Sequence, residues 1–311
     1  MIDVRDECAS LAGRRMLITG ADGMLGRAYR EALAEIPGTD VLPLGHGDLD
    51  VTDRAAVRAL RSRVVDVIIH CAAATNADWC EEHPAECERV IVEGTRHALE
   101  LADACHARVL FPQSFLIFDG RENPITDRTA PSPLSVYGRA KLKAEELVLQ
   151  APAPNLSVRM AGFFGGDEAD KNFVGKIVRH FADLAASGVR ECEVGDRVWQ
   201  PTYTADLARN SLILLAHERT GTYAMASHGE ATFFETAGVC LNALGLAGHI
   251  RLMKASNRQM AAREKARRPE RAVIENLRLK SEGLDRQRPW ASSLTEYLQR
   301  PYFSGLRAAW A

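Results

Sequence analysis

The feature that most limits how this chain can fold is a glycine-rich turn between a short apolar run and a helical pattern. The run Met16–Thr19 precedes glycines at 20, 23 and 26, and a helical pattern follows over residues 27–35. Such glycines permit a tight turn, let an anion approach the backbone and allow a helix to pack closely on a strand. The turn therefore predicts a dinucleotide-binding βα unit. Its candidate cofactor contacts are Gly20, Asp22, Gly23, Met24, Leu25 and Gly26.

Strand and helix patterns continue to alternate after this turn. Residues Asp40–Leu44, Val64–His70 and Arg108–Phe111 predict further strands, and residues 53–63 predict a helix with Thr52 as its N-cap. Alternation of this kind predicts an α/β fold with a doubly wound parallel Rossmann sheet. Small residues follow the third strand and would let a flat cofactor lie against the backbone: Cys71, Ala72, Ala73 and Ala74.

The second half predicts a smaller, discontinuous substrate lobe. Val158–Phe164 is a sixth strand candidate, residues 200–203 return the chain to the first lobe, and Gly221–Met225 is a further strand candidate. We therefore expect a Rossmann lobe from residues 1–158 and 205–226. The substrate lobe is expected from residues 159–204 and 227–311.

The pattern with the clearest chemistry is Tyr137-Gly-Arg-Ala-Lys141, whose ends share one helix face. A lysine ammonium one turn away is expected to lower the pKa of the tyrosine. The tyrosine could then give a proton to a carbonyl oxygen, while the lysine also binds the nicotinamide ribose. Ser114 follows a strand that ends at the ligand-facing edge of such a sheet, so it can polarise the same carbonyl.

Several motifs in order resemble the dTDP-4-dehydrorhamnose reductase family of extended short-chain dehydrogenase/reductases. They are Leu17–Gly26, Asp50–Asp53, Ala72–Asp78 with Glu82 and Pro84, Phe118–Gly120, Pro133–Glu145, Pro201–Leu207, Arg268-Pro269 and Arg288–Trp290. The resemblance implies reduction of a 4-keto nucleotide sugar with NAD(P)H by a Ser/Thr-Tyr-Lys mechanism. The candidate substrate contacts are Thr75, Ser114, Phe115, Asn172, Gln200 and Arg268.

Two departures from the family leave other functions open. The family usually has Ser-Thr-Asp-Tyr-Val-Phe where this chain has Gln113–Phe118, and many relatives have an asparagine where Ile91 stands. One alternative is a nucleotide-sugar epimerase or dehydratase that recycles its cofactor. Another is a catalytically silent regulatory paralogue, because the resemblance also reaches regulatory subunits of methionine adenosyltransferase.

The end of the second strand bears on the choice of cofactor. After Leu44, no carboxylate occurs until Asp48, so a 2′-phosphate would not be repelled, and His46 and Arg27 are candidate contacts for it. Asp50 and Val51 resemble the pair that contacts adenine in the family. The pattern favours NADP over NAD, with a solvated role for His46 and Arg27 as the alternative.

Two other polar segments have a structural and a functional interpretation. Residues 254–271 are strongly basic, with arginines at 258, 263, 267, 268 and 271, and are either a solvated face or a clamp for the substrate diphosphate.

Cys80 and Cys87 suggest metal ligands, but a site needs a third or fourth partner and none is near in the sequence, so no metal is expected.

Composition excludes other classes of protein. The formal net charge of −2 argues against a nucleic-acid binder, and no apolar run approaches the ~20 residues of a membrane helix. The N-terminus is too charged for a signal peptide, and 7 cysteines are an odd number. We therefore expect a cytoplasmic protein without disulfides, and a homodimer is left open. The first 13 residues and the aromatic tail, residues 300–311, look like additions to the family core.

Overall fold

A computed structural model describes residues 3–256 and 264–308. Its strands are β1 (Arg15–Thr19), β2 (Asp40–Leu44), β3 (Val67–His70), β4 (Arg108–Ser114), β5 (Leu156–Met160), β6 (Phe163–Phe164), β7 (Glu191–Gly195), β8 (Val198–Trp199), β9 (Thr202–Tyr203), β10 (Gly221–Met225), β11 (Ala231–Thr232) and β12 (Arg251–Ala255).

The helices alternate with these strands in the first half of the chain. They are α1 (Met24–Leu33), α2 (Arg54–Ala59), α3 (Ala77–Glu82), α4 (Pro84–Glu88), α5 (Gly94–Cys105), α6 (Val136–Gln150), α7 (Phe173–Ser187), α8 (Thr204–Ala216), α9 (Phe233–Ala243), α10 (Leu277–Ser281), α11 (Trp290–Leu298) and α12 (Pro301–Ala308). A π-helical turn over Arg89–Glu93 joins α4 to α5.

Six parallel strands form the central sheet in the order β2-β1-β3-β4-β5-β10. The two faces of β1 show why both sides are covered: Met16 and Ile18 join a core with α1 and α8, whereas Leu17 joins a core with α2, α5 and α6. Helices on both faces of a parallel sheet are the doubly wound arrangement, and this confirms the predicted fold class. β1 lies between β2 and β3, so β2 is added on one side of β1 and β3 on the other. Such a reversal of strand order opens a crevice at the carboxyl ends of the strands.

Local contacts correct three predicted boundaries. α2 is capped by Asp53 rather than Thr52, because its Oδ1 accepts hydrogen bonds from the backbone N–H groups of residues 55 and 56. The predicted strand Val64–His70 begins only at Val67, and Val158–Phe164 divides into β5 and β6. Pro43 fits within β2 because β2 is an edge strand.

A third core, rich in aromatic residues, lies apart from the two cores that cover the central sheet. Phe164, Tyr203, Tyr297 and Phe303 are buried and their rings contact one another. Phe303 therefore packs on its own lobe, while Trp310 lies outside the described residues. One tail segment departs from the predicted division, because Leu279 and Leu284 pack in the core of the Rossmann lobe. The division as a whole stays a prediction.

The N-terminal extension also packs on the Rossmann lobe. Val4, Cys8 and Leu11 are buried in the core that contains α8. The Ser10 hydroxyl donates to the carbonyl of Ala216 at 2.9 Å, and Glu7 accepts hydrogen bonds of 3.0 Å from Arg286. The extension is therefore part of the fold. In the described ranges, no helix is both long and apolar enough to cross a bilayer.

A buried ion pair joins α6 to β5. The Arg159 guanidinium donates to both carboxylate oxygens of Glu145, at 3.0 and 2.9 Å, and the Ser157 hydroxyl donates to the same carboxylate at 2.7 Å. The Arg159 side chain is only 10% exposed and the Glu145 side chain only 1%. Removing one partner from such a pair leaves an uncompensated charge in the protein interior.

We predict that Arg159→Met lowers the free energy of unfolding by about 3–5 kcal/mol, because the Glu145 carboxylate loses its counter-charge. The double variant Glu145→Gln/Arg159→Met should recover most of this loss. Urea denaturation followed by circular dichroism measures both. A single variant as stable as the wild type would contradict the assigned role of the pair.

Candidate functional site

The glycine turn lies where β1 and β3 approach each other most closely. Gly20 has a φ of 63°, and a Cβ at this residue would lie 2.8 Å from the backbone nitrogen of Ala72. Gly23 is the N-cap of α1, which begins at Met24, so the first N–H groups of α1 open at the carboxyl edge of the sheet. The turn can therefore hold a diphosphate against a helix N-terminus.

A buried histidine ties these strand ends together. His70 is 2% exposed, its Nδ1 lies 2.8 Å from the Thr19 hydroxyl, and that hydroxyl accepts a hydrogen bond from Ala72 N at 3.2 Å. The His70 Nε2 has no hydrogen-bond partner among the described residues. Burial, with a smaller effect of the Lys141 charge, lowers the pKa of His70 to about 3. Sequence reasoning did not identify His70, although a polar residue at the end of an apolar strand was a signal.

The strand β4 and the helix α6 bring together Ser114, Tyr137 and Lys141. Ser114 ends β4, and Tyr137 and Lys141 lie one turn apart near the start of α6. The α6 N-terminus is held by Ser135, whose hydroxyl accepts from Gly138 N at 3.1 Å, and by Glu81, which accepts from Val136 N at 2.7 Å. These two hydrogen bonds fix the first turn of α6, which carries Tyr137.

The structure corrects one expectation about Tyr137. Tyr137 is 8% exposed, and burial raises its pKa above the ordinary value, while a hydrogen bond with Ser114 acts in the opposite direction. The predicted lowering by Lys141 is wrong for this arrangement, because burial outweighs the favourable contacts. Tyr137 therefore keeps its proton at neutral pH.

Lys141 is held against β4 by its side chain. Its Nζ donates to the carbonyl of Pro112 at 2.7 Å and lies 3.8 Å from the centre of the Phe111 ring. Burial lowers the pKa of Lys141 to about 7, although the Glu145 carboxylate raises it in part. Lys141 is thus the group whose charge changes near neutral pH.

The Gln113 side chain links Ser114 at the end of β4 to Lys141 on α6. Its Nε2 donates to the backbone carbonyl of Lys141 at 2.8 Å, and its Oε1 accepts from the backbone N–H of Ser114 at 2.8 Å. The side chain is 3% exposed. Sequence reasoning noted Gln113 only as a departure from the family, and a glutamine inside an apolar strand was the available signal.

The predicted adenosine contacts lie after β2. Val51 is buried, and Asp50 is exposed and accepts a hydrogen bond from Thr52 N at 2.9 Å. His46 is exposed. Arg27 is engaged elsewhere, because it donates to the carbonyl of Asp22 at 2.9 Å and to the Glu168 carboxylate at 2.8 Å. Its assignment to a 2′-phosphate is not supported by these contacts.

Phe115 stands in an aromatic wall beside Ser114. A Cβ at Gly162 would lie 3.0 Å from the ring of Trp199 and 3.5 Å from that of Phe115, so the two rings meet over Gly162. Trp199 in turn contacts Phe233 with ring centres 5.0 Å apart. Phe115, Trp199 and Phe233 therefore form an apolar wall beside Ser114.

The other predicted substrate contacts differ in exposure and in hydrogen-bond partners. Thr75 is exposed beyond the end of β3. Asn172 is the N-cap residue of α7, and its Nδ2 donates to the carbonyl of Phe163 at 2.8 Å. Gln200 is 4% exposed, and its amide binds the backbone of Ser227 and Ile274. The Gln200 amide therefore links the backbone at Ser227 to the backbone at Ile274, and its predicted contact with the substrate is not supported.

Arg268 is also corrected by its contacts. Its guanidinium forms a fork on the Asp78 carboxylate, with distances of 3.1 and 2.9 Å. The neighbouring Lys265 pairs with Glu82, and Arg271 pairs with Glu230. These basic groups are neutralised by the protein's own carboxylates, which does not support a diphosphate clamp. Arg258 and Arg263 lie outside the described residues.

The two cysteines of the predicted metal alternative lie beneath Tyr137. Cys80 and Cys87 are free and fully buried, and the Cys80 thiol donates to the carbonyl of Ala74 at 3.5 Å. Ile91 is buried in the π-helical turn of the same core. No group of three or more metal-ligating side chains is found in the part of the chain that the structure describes.

Comparison with known proteins places this arrangement in context. A family model described as the RmlD substrate binding domain matches residues 14–303. A dTDP-4-dehydrorhamnose reductase of Streptomyces griseus is 36% identical over 290 residues, which cover 91% of this chain and 92% of that protein.

Solved structures agree with this match. The crystal structure of a dTDP-4-dehydrorhamnose reductase from Clostridium acetobutylicum has a TM-score of 0.83 and 30% identity, and the match covers 91% of this chain and 98% of that one. The Bacillus anthracis enzyme of the same name, in complex with NADP, has a TM-score of 0.82 and 24% identity over 92% of this chain and 98% of that one. At that identity the second likeness shows the fold alone.

We predict that His70 makes the protein sensitive to acid. Because its pKa in the fold is about 3 and its ordinary value is 6.5, only the unfolded chain takes up this proton in that interval. The free energy of unfolding should therefore fall as the pH drops from about 6.5 towards 3. His70→Asn, which cannot titrate, should lose less stability between about pH 7 and pH 4 in urea denaturation. Equal losses in the two proteins would contradict this role.

Proposed function

Because the chain belongs to the RmlD substrate binding domain family, whose model matches residues 14–303, we propose that it reduces the 4-keto group of a nucleotide-linked sugar with NADH or NADPH. The observation that carries the proposal is the convergence of Ser114, Tyr137 and Lys141 at the carboxyl edge of the sheet, beside the glycine turn. The name of the Streptomyces griseus relative describes a sugar ketone of this class.

The residues around the turn fit a dinucleotide. At Gly20 a side chain would collide with Ala72, and at Gly26 it would collide with the Gly20 carbonyl, so only glycines let the turn pack this closely on the segment after β3 and on the start of α1. The proposed contacts are the turn residues 20–26, Asp50 and Val51 on the adenosine side, and residues 71–74 with Tyr137 and Lys141 on the nicotinamide side. When bound, the cofactor supplies the hydride that the ketone carbon accepts.

Tyr137 is the proposed general acid. A phenol whose pKa is raised by burial stays protonated, so it can donate its proton to the developing alkoxide on the sugar. The nearby Ser114 hydroxyl lowers the pKa of this phenol in part, and it can donate a hydrogen bond to the keto oxygen. The two donors would therefore stabilise negative charge where it develops in the transition state.

Lys141 completes the proposed proton transfer. Its pKa of about 7 lets it carry a positive charge in part of the molecules at neutral pH, and this charge would stabilise the phenolate that Tyr137 becomes. The Pro112 carbonyl holds the ammonium on β4, so Lys141 is fixed before substrate arrives. Gln113 positions the same pair of elements, because it binds the backbone of both Ser114 and Lys141.

The cellular location, the oligomeric state and the partners are predicted separately from the reaction. All seven cysteines are free thiols, which suits a reducing cytoplasmic location. A homodimer and the lack of a nucleic-acid partner stay predictions. The epimerase or dehydratase and the silent regulatory paralogue are the competing outcomes of the experiments below.

We predict that Tyr137→Phe lowers kcat by about 10²–10⁴-fold, because the general acid is removed while the ring still fills its pocket. The assay is the loss of NADH or NADPH absorbance with a panel of nucleotide-linked keto sugars that includes dTDP-4-keto-6-deoxyhexoses. The Kd for the cofactor should change less than about threefold.

Three outcomes would contradict the proposal. Full activity of Tyr137→Phe would remove the general acid from its role. Stoichiometric NAD that stays bound through purification, with net isomerisation or dehydration of the sugar, would favour the epimerase or dehydratase. Cofactor binding without oxidation by any keto sugar would favour the silent paralogue.

We predict that Gln113→Met lowers kcat by about 10- to 100-fold with little change in the KM for the sugar, because β4 and α6 lose their shared amide. Gln150→Met makes the same change at the exposed end of α6 and should leave kcat unchanged. Steady-state kinetics measure the split between kcat and KM. A loss confined to KM, or equal effects of the two variants, would contradict the positioning role.

A further inference from the structure

The end of β2 is the place where a Rossmann sheet distinguishes NADH from NADPH. An acidic residue there binds the ribose 2′-hydroxyl of NADH, whereas a 2′-phosphate needs cationic partners. β2 ends at Leu44, next to β1 and the glycine turn. In the sequence the residue after Leu44 is Gly45, which has no side chain to make this choice.

The glycine turn supplies the missing carboxylate. A Cβ built at Gly45 would overlap the Asp22 carboxylate, so the Asp22 side chain occupies the space that a side chain at Gly45 would take. The turn is held there because Ala21 N donates to the Leu44 carbonyl at 3.1 Å. Asp22 is thus the acidic group at the end of β2, although it lies more than twenty positions earlier in the chain.

A second carboxylate lies against the same residue. The Asp48 Oδ2 accepts a hydrogen bond from Gly45 N at 2.9 Å. Asp22 and Asp48 therefore both approach Gly45, one from the glycine turn and one from the loop after β2. A 2′-phosphate at this point, which carries about two negative charges, would meet negative charge from both.

The nearby cations are already paired with carboxylates. Arg30 lies 3.6 Å from the Asp22 carboxylate and offsets part of its negative charge, and Arg27 is bonded to Glu168 at 2.8 Å. The His46 charge acts on Asp50, whose pKa is lowered first by hydrogen bonds from Thr52 and in smaller part by His46. Arg27 is therefore directed to another partner, whereas His46 is an exposed side chain beside Asp50.

We infer that Asp22 makes this chain selective for NADH over NADPH. The inference rests on the proposed function, which needs one of the two cofactors at this turn. The Asp22 carboxylate accepts the hydrogen bond of the ribose 2′-hydroxyl, and it repels the phosphate that replaces this hydroxyl in NADPH. This inference is opposite to the NADP preference that the sequence after Leu44 favours, and the binding experiment decides between them.

The test measures binding of NADH and of NADPH to the full chain by titration calorimetry. The wild type should bind NADH at least about tenfold more tightly than NADPH, and Asp22→Asn should reduce this ratio by about tenfold, mainly by strengthening NADPH. Asp183→Asn removes the same charge from the exposed surface of α7 and should leave the ratio unchanged. Raising the salt concentration should narrow the wild-type ratio, because a repulsion between exposed charges is screened.

The contrary outcomes separate two failures. Equal or tighter binding of NADPH by the wild type, or an Asp22→Asn ratio like that of the wild type, would overturn the inference and leave the proposed function standing. A selective loss of NADPH binding in Arg27→Ala would also overturn it, because Arg27 would then be the phosphate contact. If neither cofactor binds, the proposed function fails and the inference fails with it.

Discussion

The attachment of α6 to the end of β4 is the constraint on which the rest of the site depends. Three neighbouring β4 residues hold the helix: the Pro112 carbonyl binds the Lys141 ammonium, the Gln113 amide binds the Lys141 carbonyl, and Ser114 meets the Tyr137 phenol. The Gln113 and Lys141 side chains are buried, so loss of either of their hydrogen bonds would leave an unsatisfied polar group. The same contacts that stabilise the helix therefore orient the reacting groups.

The opposite end of the site depends on an equally close approach, between β1 and β3. Gly20 and Ala72 leave no room for a side chain, and Thr19 and His70 join the two strand ends. The glycine turn is thereby pressed against both β2 and β3, which brings Asp22 to Gly45. The packing that would hold a diphosphate thus also places the Asp22 carboxylate, which we infer selects the cofactor.

Local patterns predicted much of the fold and part of the site. The glycine spacing, the apolar strands and the Tyr137–Lys141 interval are short-range features, and together they were enough to predict the Rossmann sheet and the elements that carry the candidate site. The contacts of Gln113, Asp22 and Arg268 were not predictable, because each joins residues far apart in the chain. The raised pKa of Tyr137 was missed for a related reason: helical spacing indicates which charge is near, but not how much burial opposes it.

The central claim is that this chain transfers a hydride to a sugar ketone and a proton from Tyr137 to its oxygen. The most direct measurement supplies NADH that carries deuterium at the transferable position, with a dTDP-4-keto-6-deoxyhexose, and locates the label in the product by mass spectrometry and NMR. The account predicts one deuterium on the carbon that carried the keto group and one NAD formed per sugar alcohol. An unlabelled product, or a changed sugar without consumption of NADH, would contradict it.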